Sequence, residues 1–390
     1  MKMLVQFSVT NHRSIHGTAV LSLIATTDHE FQESLISPNG KKKLLPVVAI
    51  YGANAAGKSN ILHALDLMQS MVVGQYAKPL KDTLLPQEPF AFTKEEEPTK
   101  LEAIYYYEGI KYAYGFSFTR TKIVEEYLYH WRNGREGLVF SRNAGKYIFR
   151  ENKAEQAVLA GRTPENRLYL VTSNEWNNQE TQDAYLWFSR KLNILQKNSG
   201  SYDQTLSELE RNSGRKKKIL REMMIADLGI VDIKVSGSKE HPVIMTTHRL
   251  HDEEGRESNY DLLINQESAG TQRFFSHIGT WLKALENGGT LIVDEIESSM
   301  HPLLTRHLIE AMQDKGSNIN QAQLIFTTHD VSLLDQKLLR RDQIWFAKKN
   351  EKTAETKLYA LTDFSPRKGE NIRNGYLQGR YGAIPFISRL

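Results

Sequence analysis

Residues 52–59 read GANAAGKS and fit the pattern G-x-x-x-x-G-K-[ST] of a phosphate-binding loop. Gly52 and Gly57 let the backbone curl until several N–H groups face one point, and the start of the next helix adds partial positive charge. Lys58 can reach the β- and γ-phosphates of a nucleotide, and the Ser59 hydroxyl can bind Mg²⁺. The residues predicted to bind the cofactor here are Gly52, Asn54, Ala56, Gly57, Lys58, Ser59 and Asn60.

Two adjacent acids end another apolar run, TLIVDE (290–295). Asp294 is predicted to hold the Mg²⁺ shell, together with Ser59. Glu295 is predicted to orient or polarise the attacking water. The alternative is that the two acids only cap the next helix.

A third apolar run, QLIFTTHD (323–330), places His329 at its end, one strand–helix–strand step after Glu295. A histidine there can sense a γ-phosphate and hold the water, although a lone histidine is more often structural. ESAGT (267–271) opens a predicted helix, where Ser268 and Gly270 would form a second phosphate site. The alternative for Ser268 is a simple helix N-cap.

The elements around these motifs predict a mostly parallel α/β sheet, with chemistry at the carboxyl ends of its strands. Strands are expected at LVQFSV, AVLSLI and LLPVVAIY, a helix over 60–71, and three antiparallel strands within 101–131. Later strands are expected at VDIKV, PVIMTTHRL and YDLLI. A mainly helical insertion is expected over 151–230, which divides the chain into 1–150, 151–230 and 231–390.

The composition is that of an ordinary globular protein. Of 390 residues, 40% are hydrophobic and 25% charged, and the net charge is only +4. The chain has no cysteine, which excludes disulfides, Cys-ligated zinc and a thiol nucleophile. Without a long apolar run, a membrane protein is not expected. These features favour a cytoplasmic protein.

The order of the motifs resembles the ATP-binding-cassette (ABC) ATPases. In that superfamily the S-x-G segment of one subunit covers the nucleotide held by the phosphate loop of another. The resemblance implies ATP and Mg²⁺ as cofactors, ATP hydrolysis, and a head-to-tail dimer with a second copy. NHRSI (11–15) and IESSMHP (296–302) look like the SMC-like branch, near RecF and the OLD nucleases. By that resemblance Asn11 and Arg13 approach the phosphates, and His301-Pro302 forms the turn beyond the acids.

More specifically, the chain is similar to small bacterial AAA/ABC-type ATPases encoded beside an RloB-like or Toprim-like partner. These include the ATPase subunit of the PARIS anti-phage system. The implied fold is an ABC-type P-loop ATPase head with an antiparallel β subdomain and a short helical insertion. The implied function is an ATP-hydrolysing switch that controls a toxic effector. Gln87 is the candidate for the metal-contacting Q-loop, although it could equally be loop surface.

Two other functions stay open. A RecF-like DNA-binding repair ATPase is suggested by the basic runs at 41–43 and 215–218, because nucleic acid would contact them. A nucleotide-gated scaffold with negligible turnover would use the same motifs. The tail GYLQGRYGAIPF (375–386) could stack on a base, contact a partner or seal the core.

Overall fold

The computed structural model describes residues 2–38, 40, 42–80, 82–93, 97–195, 201–211, 213–226, 229–238, 240–251, 254–298, 301–367 and 369–384. The strands are β1 Met3–Thr10, β2 Ala19–Ser22, β3 Val47–Tyr51, β4 Thr99–Tyr107, β5 Ile110–Phe118, β6 Ile123–Arg132, β7 Arg135–Asn143, β8 Lys146–Phe149, β9 Leu192–Leu195, β10 Ile230–Gly237, β11 Pro242–His251, β12 Glu257–Leu263, β13 Thr290–Val293, β14 Gln323–Thr328, β15 Ile344–Lys349 and β16 Thr356–Ala360. The helices are α1 Lys58–Val72, α2 Lys153–Gly161, α3 Tyr169–Glu175, α4 Gln179–Arg190, α5 Asp203–Arg211, α6 Ser213–Ala226, α7 Ala269–Asn287, α8 Pro302–Gln313 and α9 Ile372–Leu377.

The site is built on a mostly parallel sheet, which within the described residues has the order β16-β15-β3-β14-β13-β9. Strands β15, β3, β14, β13 and β9 run parallel, and only β16 is antiparallel to its neighbour. Every residue of β3, β13 and β14 is buried. A parallel sheet covered on both faces needs such continuous apolar strands. The predicted parallel α/β sheet is therefore confirmed.

An antiparallel sheet packs beside it, with the order β2-β1-β4-β5-β6-β7-β8 in the described part of the chain. The three strands predicted within 101–131 are β4, β5 and β6. Helix α4 packs on this sheet, since the rings of Tyr105 and Trp187 stack with centroids 4.2 Å apart. The Tyr105 hydroxyl also donates to the Ala184 carbonyl at 3.0 Å. The expected antiparallel β subdomain is thus present and larger than predicted.

The stretch 151–230 differs from the expected helical insertion in one respect. It contains five helices among its described residues, but it also contains β9, which pairs with β13 at the edge of the parallel sheet. A segment of the insertion is therefore part of the core. Helices α5 and α6 pack on α7, where the Thr205 hydroxyl donates to the Phe275 carbonyl at 2.6 Å. The strands predicted at VDIKV, PVIMTTHRL and YDLLI form a separate sheet in the order β10-β11-β12.

Three of the four basic residues in the run 215–218 form ion pairs with neighbouring acids. Arg215 pairs with Glu208 at 2.8 Å and also with Glu286. Lys218 pairs with Glu286 at 2.9 Å, and Lys216 pairs with Asp232 at the same distance. Through these ion pairs, the basic face of α6 is attached to neighbouring elements of the fold. Lys41, in the other basic run, lies outside the described residues.

The tail seals the core as far as the structure describes it. Tyr376 and Tyr381 are 6% and 1% exposed, and both rings stack on Phe346 of β15. The Tyr376 ring also meets Tyr51, which ends the strand before the phosphate-binding loop. Phe386 lies outside the described residues. Among the described helices, none is long and apolar enough to cross a membrane.

Candidate functional site

The loop between β3 and α1 has the shape that its glycines allow. Gly57 has a φ of 93° and forms the N-cap of α1. A Cβ atom at Gly57 would lie 2.1 Å from the Thr356 hydroxyl oxygen, closer than atoms approach one another. Only glycine therefore fits this position, because it tolerates the left-handed backbone and leaves room for Thr356.

A chain of hydrogen bonds supports this loop from behind. The Asn60 amide donates to the Ser14 hydroxyl at 2.6 Å, and the Ser14 and Thr356 hydroxyls are 2.7 Å apart. The Thr356 hydroxyl donates to the Ala56 carbonyl at 2.9 Å. Because Thr356 has one hydroxyl proton, Ser14 must be the donor to Thr356. Neither hydroxyl could be recognised from the sequence, where the local signal is the position of Ser14 within NHRSI.

Lys58 is buried and lies at the centre of the site. Its ammonium donates to the carbonyls of Gly52 and Ala53 at 2.9 and 3.1 Å, and it lies 2.9 Å from Nε2 of His329. Burial lowers the pKa of Lys58 to about 8, and nearby carboxylates oppose this shift. Burial, followed by the charge of Lys58, lowers the pKa of His329. His329 is therefore a neutral ring that accepts from the ammonium at Nε2.

The two acids are held by a threonine of the neighbouring strand. The Thr327 hydroxyl donates to Oδ1 of Asp294 at 2.5 Å and accepts the backbone N–H of Glu295 at 2.7 Å. Helix α8 starts later, at Pro302, and its N-cap is His301. The alternative that the acids cap the next helix is therefore excluded. Thr327 is a further residue that the sequence analysis did not single out.

The residues present fit Mg²⁺. The Ser59 hydroxyl lies 3.0 Å from Oδ1 of Asp294, so two oxygen donors point to one place. Mg²⁺ prefers oxygen ligands and usually takes one or two from protein, with phosphates and water completing the shell. The described residues contain no group of three or more His, Cys, Asp or Glu side chains that could hold a metal without such help. Ser59 and Asp294 could thus hold the ion only with a nucleotide.

Arg273, in the first turns of α7, faces the same acids. Burial lowers its pKa, and the charges of Glu295, Asp294 and Glu297 oppose that shift. The start of α7 therefore lies at the same edge of the sheet as the acids. Arg273 could not be recognised from the sequence, because the tertiary fold sets the distance between α7 and the turn after β13.

The Ser268 side chain caps α7 in the single chain. Its hydroxyl accepts the backbone N–H of Thr271 at 3.1 Å and lies 2.8 Å from the Thr271 hydroxyl. Gly270 lies in the first turn of the helix. Nearby, Glu267 contacts Nε2 of His248 at 2.6 Å, which fixes the segment before the cap to β11. A role of Ser268 and Gly270 toward the nucleotide of a second copy stays a prediction.

Three predicted site residues have other contacts. Asn11 is fully buried, its amide donates to the Glu97 carbonyl at 2.7 Å, and its Oδ1 accepts the backbone N–H of Phe90. Gln87 donates to the same Glu97 carbonyl at 2.9 Å, and none of its contacts in the described part of the chain is with Ser59 or Asp294. Arg13 pairs with Glu88 at 2.5 Å. These contacts shape the loop before β4, and the phosphate contacts of Asn11 and Arg13 and the metal contact of Gln87 stay predictions.

A family model matches residues 47–335, which run from the start of β3 past His329. Its description reads "AAA domain, putative AbiEii toxin, Type IV TA system". The chain belongs to this AAA-domain family. The match includes the phosphate loop, both acids and the histidine, and it also spans the helical stretch with β9.

The AAA-domain chain is similar to solved structures of SMC heads. The head domain from Thermotoga maritima is 13% identical, with a TM-score of 0.40, over 92% of this chain and 99% of that one. An Smc head bound to the C-winged helix domain of ScpA is 12% identical, with a TM-score of 0.44, over 93% and 99%. The Smc head bound to the C-terminal domain of ScpA derived from Pyrococcus furiosus is 10% identical, with a TM-score of 0.41, over 94% and 98%. No curated protein matches the chain.

Proposed function

We propose that this AAA-domain chain binds ATP with Mg²⁺, hydrolyses it to ADP and phosphate, and acts as a switch subunit in a bacterial anti-phage defence system. One observation carries the proposal. Lys58, Ser59, Asp294 and His329 come from three neighbouring strand ends, and hydrogen bonds connect them in two pairs at one edge of the sheet. Phosphoryl transfer depends on this kind of positioning and charge stabilisation rather than on covalent chemistry by the protein.

The residues have separate tasks in this reaction. Lys58 exchanges its contact with His329 for the β- and γ-phosphates, while the N-terminus of α1 contributes further positive charge. Mg²⁺, when bound by Ser59 and Asp294, offsets charge that develops on the phosphate oxygens. Glu295 orients the attacking water, and His329 holds it next to the γ-phosphate.

A second copy of the chain completes the site in this proposal. The N–H groups at the start of α7 form a positive helix end, and Gly270 allows close approach of a phosphate. Ser268 and Gly270 of one protomer then cover the ATP held by the phosphate loop of the other. The result is a head-to-tail dimer in the cytoplasm that forms only with ATP.

The partner in this proposal is a toxic effector protein encoded nearby, of the RloB-like or Toprim-like type. The family description connects the AAA domain with a toxin–antitoxin system, which supports a role in a two-component module but names no partner. The ATP-bound dimer holds the effector inactive, and hydrolysis releases it. Nucleic acid is a less favoured partner, because ion pairs hold Arg215, Lys216 and Lys218, three of the four basic residues of the run 215–218.

Glu295→Gln tests the function. The variant should still bind ATP and form the dimer, but its turnover should fall by roughly 100-fold or more, since only the water-orienting carboxylate is changed. Glu310→Gln is the matched control, because Glu310 is an exposed carboxylate on α8. ATP turnover and the ATP-dependent mass in solution are the measurements. Wild-type turnover by Glu295→Gln would refute the catalytic role, and a wild-type protein that dimerises without hydrolysis would favour the scaffold.

A further inference from the structure

Glu297 contacts the loop that carries His329. Its Oε1 accepts the backbone N–H of His329 at 2.7 Å. The turn that presents Glu297 is itself fixed, since Ile296 donates to the Thr327 carbonyl at 3.1 Å and Ser298 donates to the Glu295 carbonyl at 2.8 Å. One carboxylate thus connects the turn after β13 with the loop after β14.

The surroundings of Glu297 are unfavourable for a purely structural carboxylate. Its Oε2 is buried and has no hydrogen-bond partner among the described residues. Oδ2 of Asp330 and the hydroxyl of Tyr51 are in the same condition. A buried polar atom without a partner destabilises the fold, so an apolar side chain would serve stability better than this carboxylate.

The charge of Glu297 reaches the centre of the site. It raises the pKa of both Lys58 and His329, against the effect of burial. The same backbone segment that Glu297 holds carries the imidazole that meets Lys58 at 2.9 Å. If the hydrogen bond from the His329 N–H to Glu297 were lost, the contact with Lys58 would be the one described contact that fixes the His329 ring. Lys58 must turn to the phosphates when nucleotide binds, so it cannot hold the ring then.

We propose that Glu297 is a positioning residue for the reaction, which holds the His329 backbone so that the ring stays over the γ-phosphate position after Lys58 has released it. This inference rests on the proposed ATP hydrolysis. The position of the His329 ring would then be determined by the turn that follows the two acids. A movement of that turn, such as contact with a second copy would cause, then reaches His329 directly.

Steady-state kinetics of three variants test the inference. Glu297→Met keeps the volume but removes the acceptor, and should lower kcat by roughly 10- to 100-fold, with KM for ATP changed by less than about threefold. Glu297→Gln keeps a carbonyl acceptor for the His329 N–H, and should retain kcat within about threefold. Glu310→Met is the control on α8. If Glu297→Met has wild-type kcat, or if Glu297→Gln is as impaired as Glu297→Met, the inference is wrong.

A second measurement does not depend on turnover. In nucleotide-free protein, long-range ¹H–¹⁵N spectra of the imidazole rings should show His329 with Nε2 unprotonated, because Nε2 faces the Lys58 ammonium. His329→Gln assigns the signal. After addition of a non-hydrolysable ATP analogue, which should draw Lys58 away from the ring, that signal should shift toward a mixture of tautomers in Glu297→Met but not in Glu297→Gln. An unchanged signal in Glu297→Met would overturn the inference. A wild-type protein without ATP turnover would instead overturn the proposed function, and the spectra would still decide on Glu297.

Discussion

Replacing Thr327 by valine removes two hydrogen bonds from the site without changing the shape of the side chain. Thr327 is fully buried and its hydroxyl serves Asp294 at 2.5 Å and the Glu295 N–H at 2.7 Å. A hydrogen bond to a charged group contributes about 1.5–3 kcal/mol, and an N–H left without a partner adds about 1 kcal/mol or more. We therefore expect Thr327→Val to lower the free energy of unfolding by about 3 kcal/mol.

Thr305→Val is a matched control for this prediction. Thr305 is also fully buried, and its hydroxyl has no hydrogen-bond partner in the described part of the chain. The same substitution there should change stability by less than about 0.5 kcal/mol or increase it, because nothing is lost but an unsatisfied polar atom. Valine and threonine have similar helix propensities, so α8 should not be affected.

The assay is urea unfolding without nucleotide at pH 7.5, followed by tryptophan fluorescence, with ATP turnover measured in parallel. Thr327→Val should also reduce kcat, since both acids lose their common anchor. The double mutant with Asp294→Asn should show a coupling energy above about 0.5 kcal/mol, because the two side chains share a hydrogen bond. Equal stability of Thr327→Val and Thr305→Val, or additive effects in the double mutant, would refute the role assigned to Thr327.

Two further predictions concern Gly57 and His277. Gly57→Ala should weaken binding of a fluorescent ATP analogue by at least roughly tenfold, because φ at this position is 93° and the new Cβ would lie 2.1 Å from the Thr356 hydroxyl oxygen. Adding Thr356→Ala to the same chain should restore part of the affinity. Unchanged binding by Gly57→Ala would contradict the geometry. Burial, with a smaller effect of Arg273, lowers the pKa of His277 from 6.5 to about 4. Between these two pH values, His277 is protonated in the unfolded chain but neutral in the folded chain. The stability is complete above pH 6.5 and falls by up to about 3 kcal/mol toward pH 4. Urea unfolding at pH 7.5 and 4.5 should show a smaller loss for His277→Leu than for the wild type, and an equal loss would count against a neutral buried His277.

The parallel sheet could be predicted because its strands are buried on both faces. Val47–Tyr51 is apolar throughout, while Thr290–Val293 and Gln323–Thr328 contain the apolar stretches LIV and LIF next to polar residues. Parallel strands end at a common edge, so Lys58, Asp294 and His329 had to come close once those strands were recognised. The central part of the candidate site therefore follows from local pattern and one rule of topology.

Other features depend on contacts between distant parts of the chain, which no local pattern records. Strand β9 is four residues long, with two of them half-buried, and its partner β13 lies about a hundred residues later. Ser14 and Thr356 are far apart in sequence, and their hydroxyls support the phosphate loop only because the fold brings both of them to it. Asn11 was assigned by resemblance, and no local pattern indicates that its side chain bonds to backbone groups of residues 90 and 97.

The hydrogen-bond chain behind the phosphate loop has a consequence for the order of events on the ribosome. Ser14, Ala56 and Asn60 leave the ribosome well before Thr356, which follows Ala56 by 300 residues. The loop that grips phosphate thus leaves the exit tunnel long before its rear support exists. A growing chain, or one cut before β16, would hold this loop loosely, and we expect tight nucleotide binding only after β16 has been made.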